Sequence, residues 1–247
     1  MGPRSIVIGF GATLALLSAC SGPSSSSDTP TLTVPLAGGS TLVFEDGGRL
    51  AEQRPTIERV VNDTLAAARS RIPLDGITIR VEAGGSLVIP EIGIGGRADA
   101  GTIQLALDPG SPVLPRSLDE ELFPLLAHEM HHVARLRTAG FPSNLLQAMV
   151  LEGLADHFSI EVAGIDPPIW ASALTEAELT TWTERARAVW LDGGYDHDAW
   201  FFGTAPPIPR WAGYTIGFDL VRDFLRKNPS RLPSDLYAEP AVSFVPE

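Results

Sequence analysis

Residues 127–132 read AHEMHH, setting three of the chain's five histidines around one glutamate. The flanking residues are apolar, with LFPLL before and VARL after, and Gly140 and Pro142 follow. Pro124 suits a first helical turn, and the acidic Asp119-Glu120-Glu121 just before it suits the positive end of a helix dipole. The pattern predicts a helix over about residues 124–138. Each helical residue advances by about 100°. With His128 at zero, His132 lies about 40° away, Glu129 about 100° away on the same side, and His131 about 60° the other way. Pairing His128 with His132 leaves Glu129 beside a shared ion, whereas pairing His128 with His131 puts it nearly opposite. If the glutamate has a chemical role, the ligands are His128 and His132.

His-Glu-x-x-His on a helix is a zinc pattern, with two imidazoles one turn apart and the glutamate acting as base toward water. A catalytic zinc wants a third protein ligand and an open position. The chain has no other well-placed His-x-x-His pair and no free thiol, but LEGLADHF lies on the next expected helix, over about residues 144–161. The turn TAGFPSN is long enough to fold that helix back across the first. Glu152 is therefore the expected third ligand of one Zn²⁺ per chain. Asp156, one turn later, is placed to accept the free N–H of a ligand histidine and fix its tautomer. Both carboxylates sit among Leu151, Gly153, Leu154, Ala155 and Phe158. Burying them there is costly without a compensating cation, and Gly153 and Ala155 permit close helix approach.

Upstream of these helices the periodicity is that of strands. LTVPL (32–36) and TLVFE (41–45) read as a hairpin about Gly38-Gly39. A helix beginning near Pro55 carries Ile57, Val60, Val61, Leu65 and Ala68 on one face and stops by Pro73. ITIRVE (77–82), SLVIPEI (86–92) and TIQLAL (102–107) are read as further strands, with GIGGRADAGT as the turn into the last. Downstream, Thr175-x-x-Glu178 resembles a capping box for a helix running to Gly193-Gly194. A last helix over about 211–226 has Trp211, Tyr214, Phe218, Val221 and Leu225 on one face. Strands followed by helices, without repeats, predict one α+β domain over residues 32–247.

The N-terminus reads as a separate element. Arg4 precedes an apolar run, which ends in Leu17-Ser18-Ala19-Cys20. This is the form of a secretory signal over residues 1–19, too short for a membrane span. The final four residues resemble a bacterial lipobox. Cys20, the sole cysteine, would then carry lipid and anchor the chain to the cell envelope through the Ser-rich tether at 20–31. In a cell with two membranes, Ser21 fits outer-membrane sorting. With one cysteine no internal disulfide can form, so stability rests on the core. A net charge of −12 without a basic cluster excludes a nucleic-acid partner.

HEMHH followed by LEGLAD resembles the glutamate-type zincins, metallopeptidases with His-Glu-x-x-His and a later Glu-x-x-x-Asp. More narrowly, AHEMHHVARL, AMVLEGLADHF, AGYTIGFDLVRDFLRKNP and GGRADAGTIQLALDP resemble a domain-of-unknown-function family of predicted zinc-dependent proteases, over about residues 90–230. The resemblance implies a zincin-like fold, a small mixed sheet with an antiparallel edge strand, and a peptide or protein substrate. It implies that TIQLAL is that edge strand and that Glu129 is the general base. For the donor to the developing oxyanion, Tyr214, His197, Tyr195, Arg210 and His157 are candidates. Tyr214 is preferred because WAGYTIG lies within the resemblance. His131 and His157 are expected to point away from the ion. A non-catalytic envelope lipoprotein that binds metal or peptide on the same fold is the alternative, and it has no need of Glu129.

Overall fold

A computed structural model describes residues 31–246. The expected signal segment, Cys20 and nearly all of the tether lie outside the described residues.

Strand β1 (Leu32–Pro35) turns through a 3-10 segment at Ala37–Gly39 into the antiparallel β2 (Thr41–Phe44). Gly38 and Gly39 take φ of 67° and 68° in that turn, a region that favours glycine. Helix α1 (Arg54–Arg69), with Pro55 in its first turn, carries the chain over to β3 (Thr78–Ala83), which runs parallel to β2. Strand β3 alternates as its sequence predicts, burying Ile79, Val81 and Ala83. Next come β4 (Ile94–Ala98) and β5 (Thr102–Leu107). The sheet order is β1-β2-β3-β5-β4, with β5 parallel to β3 and β4 antiparallel to β5.

This order corrects the sequence reading. TIQLAL is β5, an interior strand. The antiparallel edge strand beside it is β4, IGGRA, from the stretch read as a turn, and β1 is the antiparallel strand at the opposite edge. SLVIPEI is a loop, joined to the sheet by an Ile89–Ile94 bridge. Gly95 explains the difference, since a Cβ there would meet the Leu87 carbonyl oxygen at 1.9 Å. The edge strand can lie this close to the preceding loop only without a side chain at that position.

The remaining helices are α2 (Leu114–Glu120), α3 (Leu122–Ala139), α4 (Leu145–Ala163), α5 (Glu176–Arg187), α6 (His197–Phe202) and α7 (Ala212–Lys227). Asp119 and Glu120 close α2, so they are not the flank expected for α3. Helix α3 crosses β4 and β5, and α1 packs on it; α4 lies between α3 and α7. Helices α3 and α4 are each buried over most of their length, as befits inner helices. Gly140 closes α3, Asn144 caps α4 by accepting from the Gln147 N–H at 3.0 Å, and left-handed Gly164 ends it. The capping box at Thr175 starts α5, but that helix stops at Arg187, short of the glycine pair. No helix among the described residues is long and apolar enough to cross a membrane.

Asp46 fixes the β2–α1 corner. Its buried carboxylate accepts from Arg54 at 2.6 Å and from the Leu50 and Gly48 N–H groups. Burial raises its pKa, but these bonds outweigh burial and hold it below the ordinary 3.8. A carboxylate lowered in the folded state stabilises above its unfolded pKa and loses that contribution as pH falls through the folded value. Asp46→Ala should therefore cost about 2 kcal/mol at pH 7. The deficit should shrink below about pH 4, as checked by urea unfolding at several pH values.

Candidate metal centre

Helices α3 and α4 are antiparallel neighbours, and their buried faces carry the expected polar residues toward each other. His128, Glu129, His132, Glu152 and Asp156 are each no more than 2% exposed. One Glu152 oxygen lies 3.2 Å from His128 Nε2 and 3.3 Å from His132 Nε2. The candidate ligand atoms of the three residues all lie within 4.8 Å of one another. Tetrahedral zinc ligands at about 2.0–2.1 Å stand about 3.3 Å apart. The two nitrogen–oxygen separations match such a shell. The His128 and His132 rings meet edge to face, with centroids 4.5 Å apart.

His128 Nδ1 lies 2.8 Å from Asp156, whose two oxygens also accept from Trp170 Nε1 at 3.1 Å. Asp156 thereby orients the imidazole so that Nε2 points at Glu152. Burial disfavours the charged ring, but Asp156 and Glu152 outweigh it and raise the His128 pKa well above its ordinary value. Burial likewise raises Glu152, but His132 and His128 prevail and hold it well below the carboxylate range. Glu129 differs. Neither of its oxygens has a hydrogen-bond partner, and burial lifts its pKa to about 7 against the opposing fields of His132 and His128. Three carboxylates and two imidazoles packed into an apolar interior leave orphaned polar atoms on Glu129, His132 and Glu152. A divalent cation offsets that burial, and the nitrogen-nitrogen-oxygen donor set suits zinc.

Glu129 also touches the edge strand. A Cβ on Gly96 of β4 would fall 3.0 Å from a Glu129 carboxylate oxygen, so a side chain there would press the glutamate out of its present position. The sequence reading missed this neighbour because paired glycines are depleted in strands.

The other candidates separate. Tyr214, on α7, is buried with no hydrogen bond to its hydroxyl, and its ring stands edge-on to Phe201. Burial, and then the fields of Glu152, Asp156 and Glu129, raise its pKa well above 10, so the phenol stays protonated beside the carboxylates. His197 is held at the start of α6, where its ring stacks on Phe201 at 4.4 Å and its Nε2 is buried without a partner. Burial lowers its pKa against the field of Glu152, among others. Tyr195 bonds to His197 Nδ1 at 3.3 Å, and Arg210 pairs with Glu91 at 2.9 Å. His157 turns to the Phe218 carbonyl at 3.0 Å and stacks on that ring. His131 packs against Phe158, and burial depresses its pKa well below 6.5.

An α+β domain with a His-Glu-x-x-His helix facing a glutamate-bearing one is the architecture of a metal-dependent hydrolase. The chain belongs to the family described as predicted Zn-dependent protease (DUF2268), which matches residues 58–245. A similar solved structure is an aminopeptidase N family protein from Idiomarina loihiensis, at 12% identity and a TM-score of 0.46. That similarity covers 87% of this chain and 41% of the other, so the chain spans less than half of that protein's length. No curated protein matches the chain.

Proposed function

We propose that the chain is a zinc-dependent peptidase in which His128, His132 and Glu152 hold one ion and Glu129 is the general base. The convergence of the three donor groups, at separations suited to a tetrahedral shell, carries this reading. Zinc bound there supplies a Lewis acid that polarises a peptide carbonyl and acidifies water. Glu129, buried and unbonded, accepts the proton of the attacking water and returns it to the leaving amine. Asp156 holds the His128 Nδ1 proton and keeps Nε2 directed at the ion. Tyr214, protonated and without another partner, donates to the developing oxyanion.

The outer edge of β4 beyond the Ile89–Ile94 bridge is where an extended peptide adds as a further strand. Gly96 places Glu129 directly beneath that edge, so a main chain paired there runs past the base.

The Leu17-Ser18-Ala19-Cys20 pattern and the tether after it support export and anchoring of the chain to the envelope through lipid on Cys20. A peptide-library digest tests the activity. Cleavage should occur with the zinc-loaded protein, stop with a chelator and return on adding zinc. Stoichiometric zinc without any cleavage would instead mean a protein that only binds metal or peptide.

A further inference from the structure

A cavity of about 380 Å³ opens at the far end of α3, away from the metal centre. Its apolar wall includes Pro142, Leu191 and Val242, and its polar lining is Arg135, Asn144 and Gln147. No aspartate or glutamate lines it, although the chain has 30 acidic residues against 18 basic ones.

Arg135 is 4% exposed. Its Nη1 donates to the carbonyls of Leu236, Tyr237 and Glu239 at 3.0–3.3 Å, which ties down the C-terminal segment. Its Nε and Nη2 have no acceptor among the described residues. Glu239, the carboxylate whose field reaches it, is paired with Arg231 at 3.2 Å instead. Arg135 is thus a buried cation without a counter-ion of its own, and one edge of its donor fork is unused. Such an edge matches a carboxylate in two-point geometry.

The neighbouring groups have the same polarity. Asn144 spends its amide oxygen on the Gln147 N–H, and Gln147 spends its own on the backbone and hydroxyl of Ser143. Both amides are left with N–H donors. The first turn of the 19-residue α4 adds the positive end of its dipole. We propose that this cavity binds a small carboxylate with an apolar tail, the head group on Arg135 and the tail against Pro142, Leu191 and Val242. Burial lowers the Arg135 pKa to about 10, only partly opposed by Glu239, which agrees with a cation short of negative charge.

A free aliphatic acid and the C-terminal end of a peptide share this chemistry. Calorimetric titration of the full-length protein with octanoate, octanol, N-acetyl-leucine and N-acetyl-leucinamide separates them. Octanoate binding at least about tenfold tighter than octanol supports the aliphatic source, and the same preference for N-acetyl-leucine over its amide supports the peptide source. Arg135→Gln should abolish the preference, but it also loosens the C-terminal segment. Val242→Glu is the second variant. Val242 is 62% exposed at the rim, so the fold is kept while the new carboxylate repels the ligand, weakening binding by about tenfold. Equal affinity for each acid and its neutral partner, or carboxylate binding unchanged in Val242→Glu, would overturn the assignment. Binding is read directly, so neither result depends on zinc or hydrolysis.

Discussion

Glu129→Gln is expected to lower kcat/KM for peptide hydrolysis by about 10²–10⁴-fold while the protein keeps its zinc. The substitution is nearly isosteric, and the Glu129 oxygens have no bonds to lose. What it removes is the ability to take a proton. Burial raises the Glu129 pKa, which favours taking a proton from water. Metal content should be unchanged, because His128, His132 and Glu152 are untouched. Rates on a fluorogenic peptide, with zinc analysis of the same samples, check both halves. A variant cleaving at the wild-type rate would remove Glu129 from the mechanism.

Gly217→Ala is expected to destabilise the fold by about 2–4 kcal/mol, a fall of roughly 5–10 °C in Tm for a chain of this size. A Cβ at Gly217 would stand 2.0 Å from the Met149 carbonyl oxygen, and one at Gly153 would stand 2.2 Å from the Gly217 carbonyl oxygen. Both obstacles are backbone, so no rotamer change relieves them and α4 must move off α7. Gly153 adjoins Glu152, so the same contact that packs the helices also positions a proposed ligand. Calorimetric scanning reads the effect. A Tm within 1–2 °C of wild type, about the size of a small surface change, would show that the helices do not approach this closely.

The cluster that forms the candidate metal centre was legible because its signals are local or nearly so. A turn of helix dictates which of His128, His131 and His132 share a face, and carboxylates in an apolar stretch mark Glu152 and Asp156 as compensated groups. The family resemblance added Tyr214, whose hydroxyl has no hydrogen-bond partner in the core. Beyond such signals the sequence misled. Gly95 and Gly96 read as a turn because their role is to admit the Leu87 carbonyl and the Glu129 carboxylate, neighbours that appear only in three dimensions. TIQLAL has the stronger strand pattern for a related reason: as an interior strand it is paired on both edges and largely buried. Helix α6 hid in GGYDHDAW because it is short and begins at an aspartate cap, where Asp196 accepts from Ala199 N at 3.0 Å. Arg135 gave no sign, since its acceptors lie about a hundred residues away in sequence.

The most direct test is zinc stoichiometry after equilibrium dialysis, measured by elemental analysis on the wild type and on His132→Ala and Glu152→Ala. One tightly held zinc per wild-type chain, lost from both folded variants, is the predicted result. A wild type that holds no zinc, or variants that retain it in full, would contradict the assignment of these side chains to a common ion.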